Sequence, residues 1–435
     1  MSNTNATKTN FIIIYCDDLG YGDLECYGSE DARTPHINCL AEEGVRFTNW
    51  YSNSPVCSAS RASLLTGRYP QTAGVGGILF GRRGTSGLRT DIPTLADVFQ
   101  ANGYRTSLFG KWHLGSQKEG LPNARGFDEF YGFQSGCIDY YSHLFYYGQT
   151  KGLNPLHDLW HNEEEVWENG AYMTDLITDK TVAFIEHQAG RHPFFSYVAY
   201  NAPHYPMHAP KEYMVRFAHL PWDKQVMYAM IAAVDEGVGR IVDALKRTKQ
   251  YENTVIFFSS DNGPSREARN WMDGSDDKYY GGSAGSFRGH KYSLFDGGIR
   301  EPAILFAPQW TQGGQVNEEI GVMMDVFPTL VEMAGIEASP EVDGVSIVPM
   351  ISKGLPSPHD YVCWKYQDQL AVRQGNWKLV VNGRVDADED NKPEPIQLSD
   401  LSNDPGERMN VAESQPDRVR QMMKLLHIWE KEVAP

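Results

Sequence analysis

The chain has 435 residues, of which 41% are hydrophobic and 22% are charged. This balance is typical of a globular protein with one large α/β domain and a smaller one. The formal net charge of −17 argues against a nucleic-acid partner, which would need a basic face, but is compatible with a small anionic substrate in a locally positive pocket.

Several features of the sequence bear on its cellular compartment. Because no apolar run reaches the length of a membrane span, we expect no membrane partner. The first ten residues lack the apolar core of a signal peptide, so we expect a cytoplasmic protein, or a periplasmic or secreted one if a leader was removed. The six cysteines have neither metal-type nor disulfide-type spacing. A single sequon, Asn5-Ala6-Thr7, favours a bacterial protein over a heavily glycosylated lysosomal one.

The first predicted strand covers residues 11–16, a continuous apolar run typical of a strand buried on both faces. It ends in Asp17 and Asp18, and open α/β sheets bind ligands at the carboxyl ends of such strands. A turn or a helix cap would explain one aspartate but not readily the pair. A helix over about residues 35–44 and an extended segment then lead to Pro55.

Residues 55–68, with the sequence PVCSASRASLLTGR, predict a loop that runs into a helix capped by Ser58 or Ser60. Cys57 would lie at the helix N-terminus, where backbone N–H groups and the helix dipole favour negative charge. Arg61 is one turn further on, so its guanidinium would lie over the cysteine. The alternative is a capped surface helix with an ordinary buried cysteine.

Three further apolar strands, each preceded by a helix, end in polar turns. Their alternation predicts strand–crossover–strand units whose polar ends meet at one edge of the sheet. The helices are predicted at about residues 92–102, 174–188 and 224–249, the strands at 104–109, 194–200 and 254–259, and the polar side chains that follow them are Lys111, His113, His204, Asp261 and Asn262.

The composition changes after about residue 351, and the sequence Pro356-Ser357-Pro358 indicates a linker. We therefore predict a catalytic domain over residues 1–355 and a C-terminal subdomain over residues 356–435. Three short strands and a closing helix at about residues 416–432 are predicted within the subdomain.

The run Cys57-Ser58-Ala59-Ser60-Arg61, followed by Leu65-Thr66-Gly67-Arg68, resembles the signature of the type I sulfatases. In that family the cysteine is oxidised to formylglycine, and its hydrated aldehyde is the nucleophile. Ala59 stands where many members have proline. The resemblance implies an α/β, alkaline-phosphatase-like sandwich with a central mixed sheet, plus a small C-terminal α+β subdomain with an antiparallel sheet. It also implies a formylglycine-generating or anaerobic maturase as a partner.

Asp17, Asp18, Asp261 and Asn262 offer only oxygen ligands, and such a set suits a hard cation, Ca²⁺ or alternatively Mg²⁺, better than Zn²⁺. The resemblance implies that these four residues bind the metal together with the modified Cys57.

The resemblance also assigns catalytic groups and a reaction. Arg61, Lys111 and Lys291 would stabilise the sulfate oxygens by their positive charge. The hydrated formylglycine would attack sulfur while His204 protonates the leaving alcohol. His113 would then take the proton from the remaining hydroxyl, which expels sulfate.

The expected substrate is a sulfated carbohydrate, with a galactose-type sugar sulfated at O4 as the first choice. Residues 135–147 are rich in tyrosine and, with Trp160, Trp167 and Trp271, offer faces on which sugar rings could stack. Residues 135–143 resemble the corresponding stretch of N-acetylgalactosamine-4-sulfatases. Predicted substrate contacts are His143, His290 and the arginines Arg82, Arg83 and Arg89, of which the arginines would form a positive lip.

Two other functions fit the same residues. A phosphonate monoester or phosphodiester hydrolase of the same superfamily would share the core groups, so relative rates on sulfate and phosphate esters would distinguish it. A non-catalytic protein that binds sulfated glycans would have a degenerate site, and turnover of any sulfate ester would exclude it.

Overall fold

The computed structural model describes residues 8–145, 155–267, 277–337, 340–385 and 393–434. The sequon at Asn5 and the predicted sugar-stacking residue Trp271 lie outside the described residues, as do Tyr146 and Tyr147. Within the described residues, no helix has the length and apolar character needed to cross a membrane.

The strands of the described residues are, in chain order, β1 (Asn10–Cys16), β2 (Val45–Phe47), β3 (Trp50–Tyr51), β4 (Arg105–Lys111), β5 (Glu129–Phe133), β6 (Leu144–Phe145), β7 (Leu156–His157), β8 (Trp160–His161), β9 (Glu164–Glu165), β10 (Phe194–Ala199), β11 (Thr254–Ser260), β12 (Ala303–Phe306), β13 (Gln315–Asn317), β14 (Gly321–Val322), β15 (Val362–Tyr366), β16 (Gln369–Gln374), β17 (Trp377–Gly383) and β18 (Glu394–Asp400).

The α-helices of the described residues are α1 (Pro35–Glu43), α2 (Cys57–Thr66), α3 (Pro70–Ala73), α4 (Leu95–Ala101), α5 (Met173–Gln188), α6 (Lys211–Met214), α7 (Trp222–Arg247), α8 (Asp296–Ile299), α9 (Val326–Met333), α10 (Val348–Lys353) and α11 (Pro416–Glu432).

A mixed sheet forms the centre of the molecule, in the order β13-β2-β12-β11-β1-β10-β4-β5-β8-β9. Its middle strands β11, β1, β10 and β4 are parallel, so their carboxyl ends lie at the same edge. These are the four strands that the apolar runs predict. Antiparallel pairing begins at β12 on one side and at β8 on the other.

Helices cover both faces of this sheet. Along β1, Ile12 and Ile14 pack into the layer that contains α1, α5 and α7, whereas Phe11 and Ile13 pack into the layer that contains α2, α4 and α9. Since both layers are apolar, every residue of β1 is buried. The predicted α/β sandwich with a central mixed sheet is confirmed.

A separate antiparallel sheet follows near the C-terminus, in the order β15-β16-β17-β18. One face packs against α11, and the other contacts residues of the catalytic part such as Leu294 and Phe295. The predicted α+β subdomain is therefore confirmed. The strand β18 was not predicted, and the boundary at residue 355 stays a prediction.

Two predicted boundaries in the first half were wrong by a few residues. The helix after Pro93 begins at Leu95, because Thr94 caps it by accepting the Asp97 N–H while the Asp97 carboxylate accepts the Thr94 N–H. The next strand continues to Lys111, so that residue is the last of β4 and not part of the following turn.

Candidate active site

Helix α2 begins at Cys57, and Val56 is the extended residue before it. The predicted serine cap was wrong, because both serines bond elsewhere: Ser58 Oγ accepts the Leu79 N–H and Ser60 Oγ pairs with the Tyr15 hydroxyl. Every residue of α2 is buried. Burial raises the pKa of the Cys57 thiol, although nearby Lys111 and Lys291 oppose this shift.

Three carboxylates meet at the ends of β1 and β11. The Asp18 N–H donates to Asp261 Oδ1 at 3.1 Å, and Asn262 Nδ2 donates to Asp18 Oδ1 at 2.7 Å. Ligand atoms of Asp17, Asp261 and Cys57 all lie within 4.8 Å of one another. Asp18 has a left-handed backbone with φ 62°, a conformation that short Asp side chains tolerate better than most. The four predicted oxygen ligands are therefore adjacent in space.

This cluster has the properties of a hard-cation site. Burial raises the pKa of Asp18 to about 7, and it also raises that of Asp261, whose neighbour Asp17 adds like charge. Asp17 Oδ1 and Asn262 Oδ1 are buried and accept no hydrogen bond from the described residues. Unsatisfied oxygens among like charges suit a divalent cation such as Ca²⁺ or Mg²⁺. The residues present fit the predicted metal.

Arg61 and Lys111 are fully buried behind these carboxylates. Arg61 donates Nε and Nη2 to Asp261 Oδ2 at 3.0 and 2.7 Å and Nη1 to the Tyr197 hydroxyl. Lys111 Nζ donates to Asp17 Oδ2 at 2.6 Å. Asp261 and Tyr197 therefore occupy donors of the Arg61 guanidinium, and the position of that guanidinium over Cys57 stays a prediction. Both cations orient oxygen ligands.

His113 faces Cys57 with a defined ring nitrogen. Its Nε2 lies 2.9 Å from the Leu79 carbonyl, which can only accept, so Nε2 carries the proton. Nδ1 is then a bare lone pair 3.2 Å from Cys57 Sγ. Burial, with help from Lys111, lowers the pKa of His113 well below its ordinary value. A neutral base thus points at the side chain of residue 57.

His204 and Lys291 form a second pair. His204 Nδ1 donates to the Tyr205 carbonyl at 2.8 Å, so Nε2 is the nitrogen that accepts from Lys291 Nζ at 3.1 Å. Burial and Lys291 together lower the pKa of His204 well below its ordinary value. Lys291 Nζ also donates to Asp18 Oδ2 at 3.0 Å. The proton at this point of the site resides on Lys291.

Glu267 was missed by the sequence analysis. Its Oε2 accepts from Lys291 Nζ at 2.8 Å, and its Oε1 accepts from the Tyr292 hydroxyl at 2.7 Å. Burial alone would raise the pKa of Glu267, but the Lys291 ammonium outweighs it and the pKa is held at about 2. No motif marked this residue, because it lies in the turn region five positions beyond Asn262.

A cavity of about 310 Å³ opens onto these groups. Its walls include Cys57, His113, His204, Glu267 and Lys291. Arg82 and Arg83 line a narrow extension that shares Phe80, His113 and Phe145 with the main cavity. Four of the six predicted catalytic residues therefore line this cavity, whereas Arg61, Lys111 and the four oxygen ligands are buried and do not line it.

The structure separates the predicted substrate contacts. Arg82 and Arg83 lie at the extension of the cavity, whereas Arg89 pairs with Asp91 on the surface and does not line it. His143 is fully buried, its Nε2 lies 3.2 Å from the Ala171 carbonyl, and it lines neither the main cavity nor the extension; its role as a substrate contact stays a prediction. His290 is half-buried, and its backbone N–H donates to the Val385 carbonyl; it does not line the main cavity.

The predicted aromatic platform is only partly available. Tyr140 is fully buried and stacks on Tyr172, so it belongs to the core and not to a sugar-binding face. Trp167 is 63% exposed and stacks one face on His157. Trp160 is covered by the Arg83 guanidinium.

Two family models match the chain. The one described as Sulfatase matches residues 9–336, and the one described as N-sulphoglucosamine sulphohydrolase, C-terminal, matches residues 285–431. Arylsulfatase A of Homo sapiens is 33% identical over 475 residues, which cover 97% of this chain and 88% of that protein. N-acetylgalactosamine-6-sulfatase of Homo sapiens is 31% identical over 387 residues, which cover 85% and 70%.

Solved structures agree with this relationship. Ps i-CgsB, solved in complex with k-i-k-neocarrahexaose, superposes with a TM-score of 0.85 at 32% identity and covers 97% of this chain and 93% of its own. A sulfatase from Pseudoalteromonas sp. superposes with a TM-score of 0.80 at 26% identity, over 98% and 91%.

Proposed function

Because the chain belongs to the sulfatase family and is a sulfuric ester hydrolase, we propose that it removes sulfate from a carbohydrate by means of a formylglycine at position 57. One observation carries this proposal. His113 Nδ1 lies 3.2 Å from Cys57 Sγ with its lone pair directed at the sulfur, next to a cluster of oxygen ligands.

The two groups implied by the family would supply the electrophilic and nucleophilic chemistry. A formylglycine would supply a hydrated aldehyde as the nucleophile, and a divalent cation held by Asp17, Asp18, Asp261 and Asn262 would polarise the sulfate. The remaining steps belong to the side chains of this chain. Arg61 and Lys111 fix the carboxylates, so the site needs little rearrangement as charge develops.

Two proton positions follow from the geometry. His113 Nδ1 is free to accept a proton from an oxygen on residue 57, since its Nε2 is committed to Leu79. The Lys291–His204 pair holds a proton on the other side of the cavity. Because His204 Nδ1 is committed to Tyr205, only Nε2 and Lys291 Nζ can deliver that proton to a leaving alcohol.

The carbohydrate part of the proposal has two supports. Arg82 forms no ion pair with a carboxylate within the described residues, so it offers positive charge to a second anionic group at the cavity extension. The exposed face of Trp167 offers a stacking surface. A galactose-type sugar sulfated at O4 stays our first choice, and the similarity to Ps i-CgsB, solved with a neocarrahexaose, supports a galactan-like chain.

The experiment compares kcat/KM on a panel of sulfated mono- and oligosaccharides with that on an aryl sulfate, using protein co-expressed with a maturase. Peptide mass spectrometry of residues 55–68 measures the conversion of Cys57. We expect the Cys57→Ala variant to keep its fold and lose turnover. Full activity in that variant would refute the covalent mechanism, and inert sugar sulfates beside a rapidly cleaved aryl sulfate would refute the carbohydrate substrate.

A further inference from the structure

Glu267 is a charged group in the cavity wall that takes part in no step of the proposed reaction. Its carboxylate accepts from Lys291 and Tyr292, and its side chain is 14% exposed. It lies beside the Lys291–His204 pair, but it is not among the grouped metal-ligand atoms. A residue so placed affects the charge of the cavity without taking part in bond breaking.

Four carboxylates and three cations lie close together at the cavity and behind it. The carboxylates of Asp17, Asp18, Asp261 and Glu267 face the cations Arg61, Lys111 and Lys291. His113 and His204 are counted as neutral, because each ring donates one N–H to a carbonyl and its other nitrogen faces a donor, Cys57 Sγ for His113 and Lys291 Nζ for His204. With a divalent cation bound among the ionised carboxylates, these groups together would carry one net positive charge. A sulfate monoester carries one negative charge, whereas a phosphate monoester carries close to two at neutral pH.

We propose that Glu267 is a specificity-determining residue that matches the charge of the cavity to a monoanionic sulfate ester and disfavours a dianionic phosphate ester. Without its carboxylate the same groups would total two positive charges, which would match a dianion. Because the cavity wall is buried and little screened, one charge near the substrate has a large effect. This inference rests on the proposed metal-assisted sulfate ester hydrolysis.

The competing role is purely positional, since Glu267 also holds Lys291 in place. If the variant only displaced Lys291, the rates on all esters would fall together, because every substrate would meet the same displaced ammonium. Loss of charge would change the ratio between substrates. The ratio is therefore the informative readout.

The test uses the isosteric variant Glu267→Gln and two esters with the same aryl leaving group, one sulfate and one phosphate. We expect the phosphate-to-sulfate ratio of kcat/KM to rise roughly 10- to 100-fold. Glu267→Asp and Tyr292→Phe keep the carboxylate and should leave the ratio near that of the unaltered enzyme. Glu394→Gln, which removes a carboxylate paired with Arg288 away from the cavity, controls for net charge.

Two measurements do not depend on the activity of the variant. In the unaltered enzyme, kcat/KM for the aryl phosphate should fall as the substrate loses its second proton, while that for the aryl sulfate shows no such step. In Cys57→Ala protein loaded with the cation, calorimetry should detect tighter binding of dianionic inorganic phosphate when Glu267→Gln is added. Parallel losses on both esters, or an unchanged ratio, would overturn the inference. An enzyme inert on aryl sulfate would instead count against the proposed function.

Discussion

At the scale of single residues, the site depends on which nitrogen of each histidine is committed to a carbonyl. His113 reaches Cys57 through Nδ1 because Leu79 holds Nε2, and His204 reaches Lys291 through Nε2 because Tyr205 holds Nδ1. Both rings are almost fully buried, and each meets the cavity only at its edge. Small displacements of either ring therefore affect the proton that it handles.

Gly136 provides the space for the His113 ring. A Cβ at this position would lie 2.7 Å from His113 Cε1 and 2.8 Å from Nε2, which is too close for the ring to stay in place. We predict that Gly136→Ala lowers kcat by about 10- to 100-fold by moving Nδ1 away from residue 57. The matched control is Gly76→Ala, since a Cβ there meets no atom within 4 Å. Equal, undiminished kcat values in the two variants would contradict the role given to His113.

Removal of the divalent cation should destabilise the protein as well as inactivate it. Asp17, Asp18 and Asp261 are buried together, so a cation that binds only the folded state raises the free energy of unfolding. We predict that chelation lowers Tm and that Ca²⁺ or Mg²⁺ restores it. In Asp261→Asn, which lacks one charged ligand, the shift on adding metal should shrink. If chelation left Tm unchanged, or if only Zn²⁺ restored it, the oxygen-ligand site would be contradicted.

At the scale of elements, strand β16 of the C-terminal sheet supports the cavity loop. Gln369 is buried on this strand, where its Nε2 donates to the Tyr292 carbonyl at 2.8 Å and its Oε1 accepts the Arg384 N–H. Tyr292 has φ 76°, which is uncommon for a bulky residue and needs such support. Tyr292 in turn holds Glu267. The subdomain thus contributes to the geometry of the active site without lining the main cavity.

We predict that Gln369→Ala lowers the free energy of unfolding by about 1–3 kcal/mol, because it removes the donor to the Tyr292 carbonyl and the acceptor of the Arg384 N–H, both partly buried. It should also reduce kcat/KM several-fold through the loosened Tyr292–Glu267 contact. Denaturant unfolding and steady-state kinetics measure the two effects. Gln374→Ala, on the same strand but paired with the exposed Gln421, is the control. Kinetics as in the control would disprove the coupling.

The elements differ in how far the sequence predicts them. The apolar runs predict the buried strands β1, β4, β10 and β11. Because these strands are parallel, the residues at their carboxyl ends meet at one edge of the sheet: Asp17, Lys111, His204 and Asp261. No comparable pattern marks Glu267 or Gly136, because their importance arises from contacts between loops distant in sequence. Tyr140 was misread for a different reason: an aromatic-rich sequence has the same pattern whether its side chains face a sugar or the core.

At the scale of the whole molecule, a buried ion cluster joins the catalytic part to the C-terminal sheet. Lys378 Nζ donates to Asp296 Oδ1 at 2.6 Å and lies 3.1 Å from Glu407 Oε1. Although burial would raise it, the pKa of Asp296 is held well below its ordinary value by Lys378 and Arg300. Burial outweighs Lys378 at Glu407 and raises the pKa of that carboxyl to about 7.

This cluster predicts a pH dependence of stability. Between about pH 4.5 and 7, Glu407 is protonated in the folded state but ionised in the unfolded chain, so the stability it contributes is lost as pH rises. We predict that, as pH rises across this range, the free energy of unfolding of the unaltered protein falls relative to that of Glu407→Gln, by up to about 3 kcal/mol. Denaturant titrations at several pH values test this. The exposed Glu332→Gln is the control, and a pH-independent difference would refute it.

The complete burial of helix α2 also limits the time during protein synthesis in which Cys57 is accessible to another enzyme. Cys57 is 2% exposed once folded, so under the proposed conversion to formylglycine a maturase would have to reach the segment before the chain folds. The strand that precedes Asp261 leaves the ribosome about 200 residues later, and at ~5–20 residues per second this would give the maturase roughly 10–40 s. Slower translation between the two segments would therefore raise the fraction of converted enzyme, whereas a host that translates rapidly would accumulate correctly folded protein that is permanently inactive.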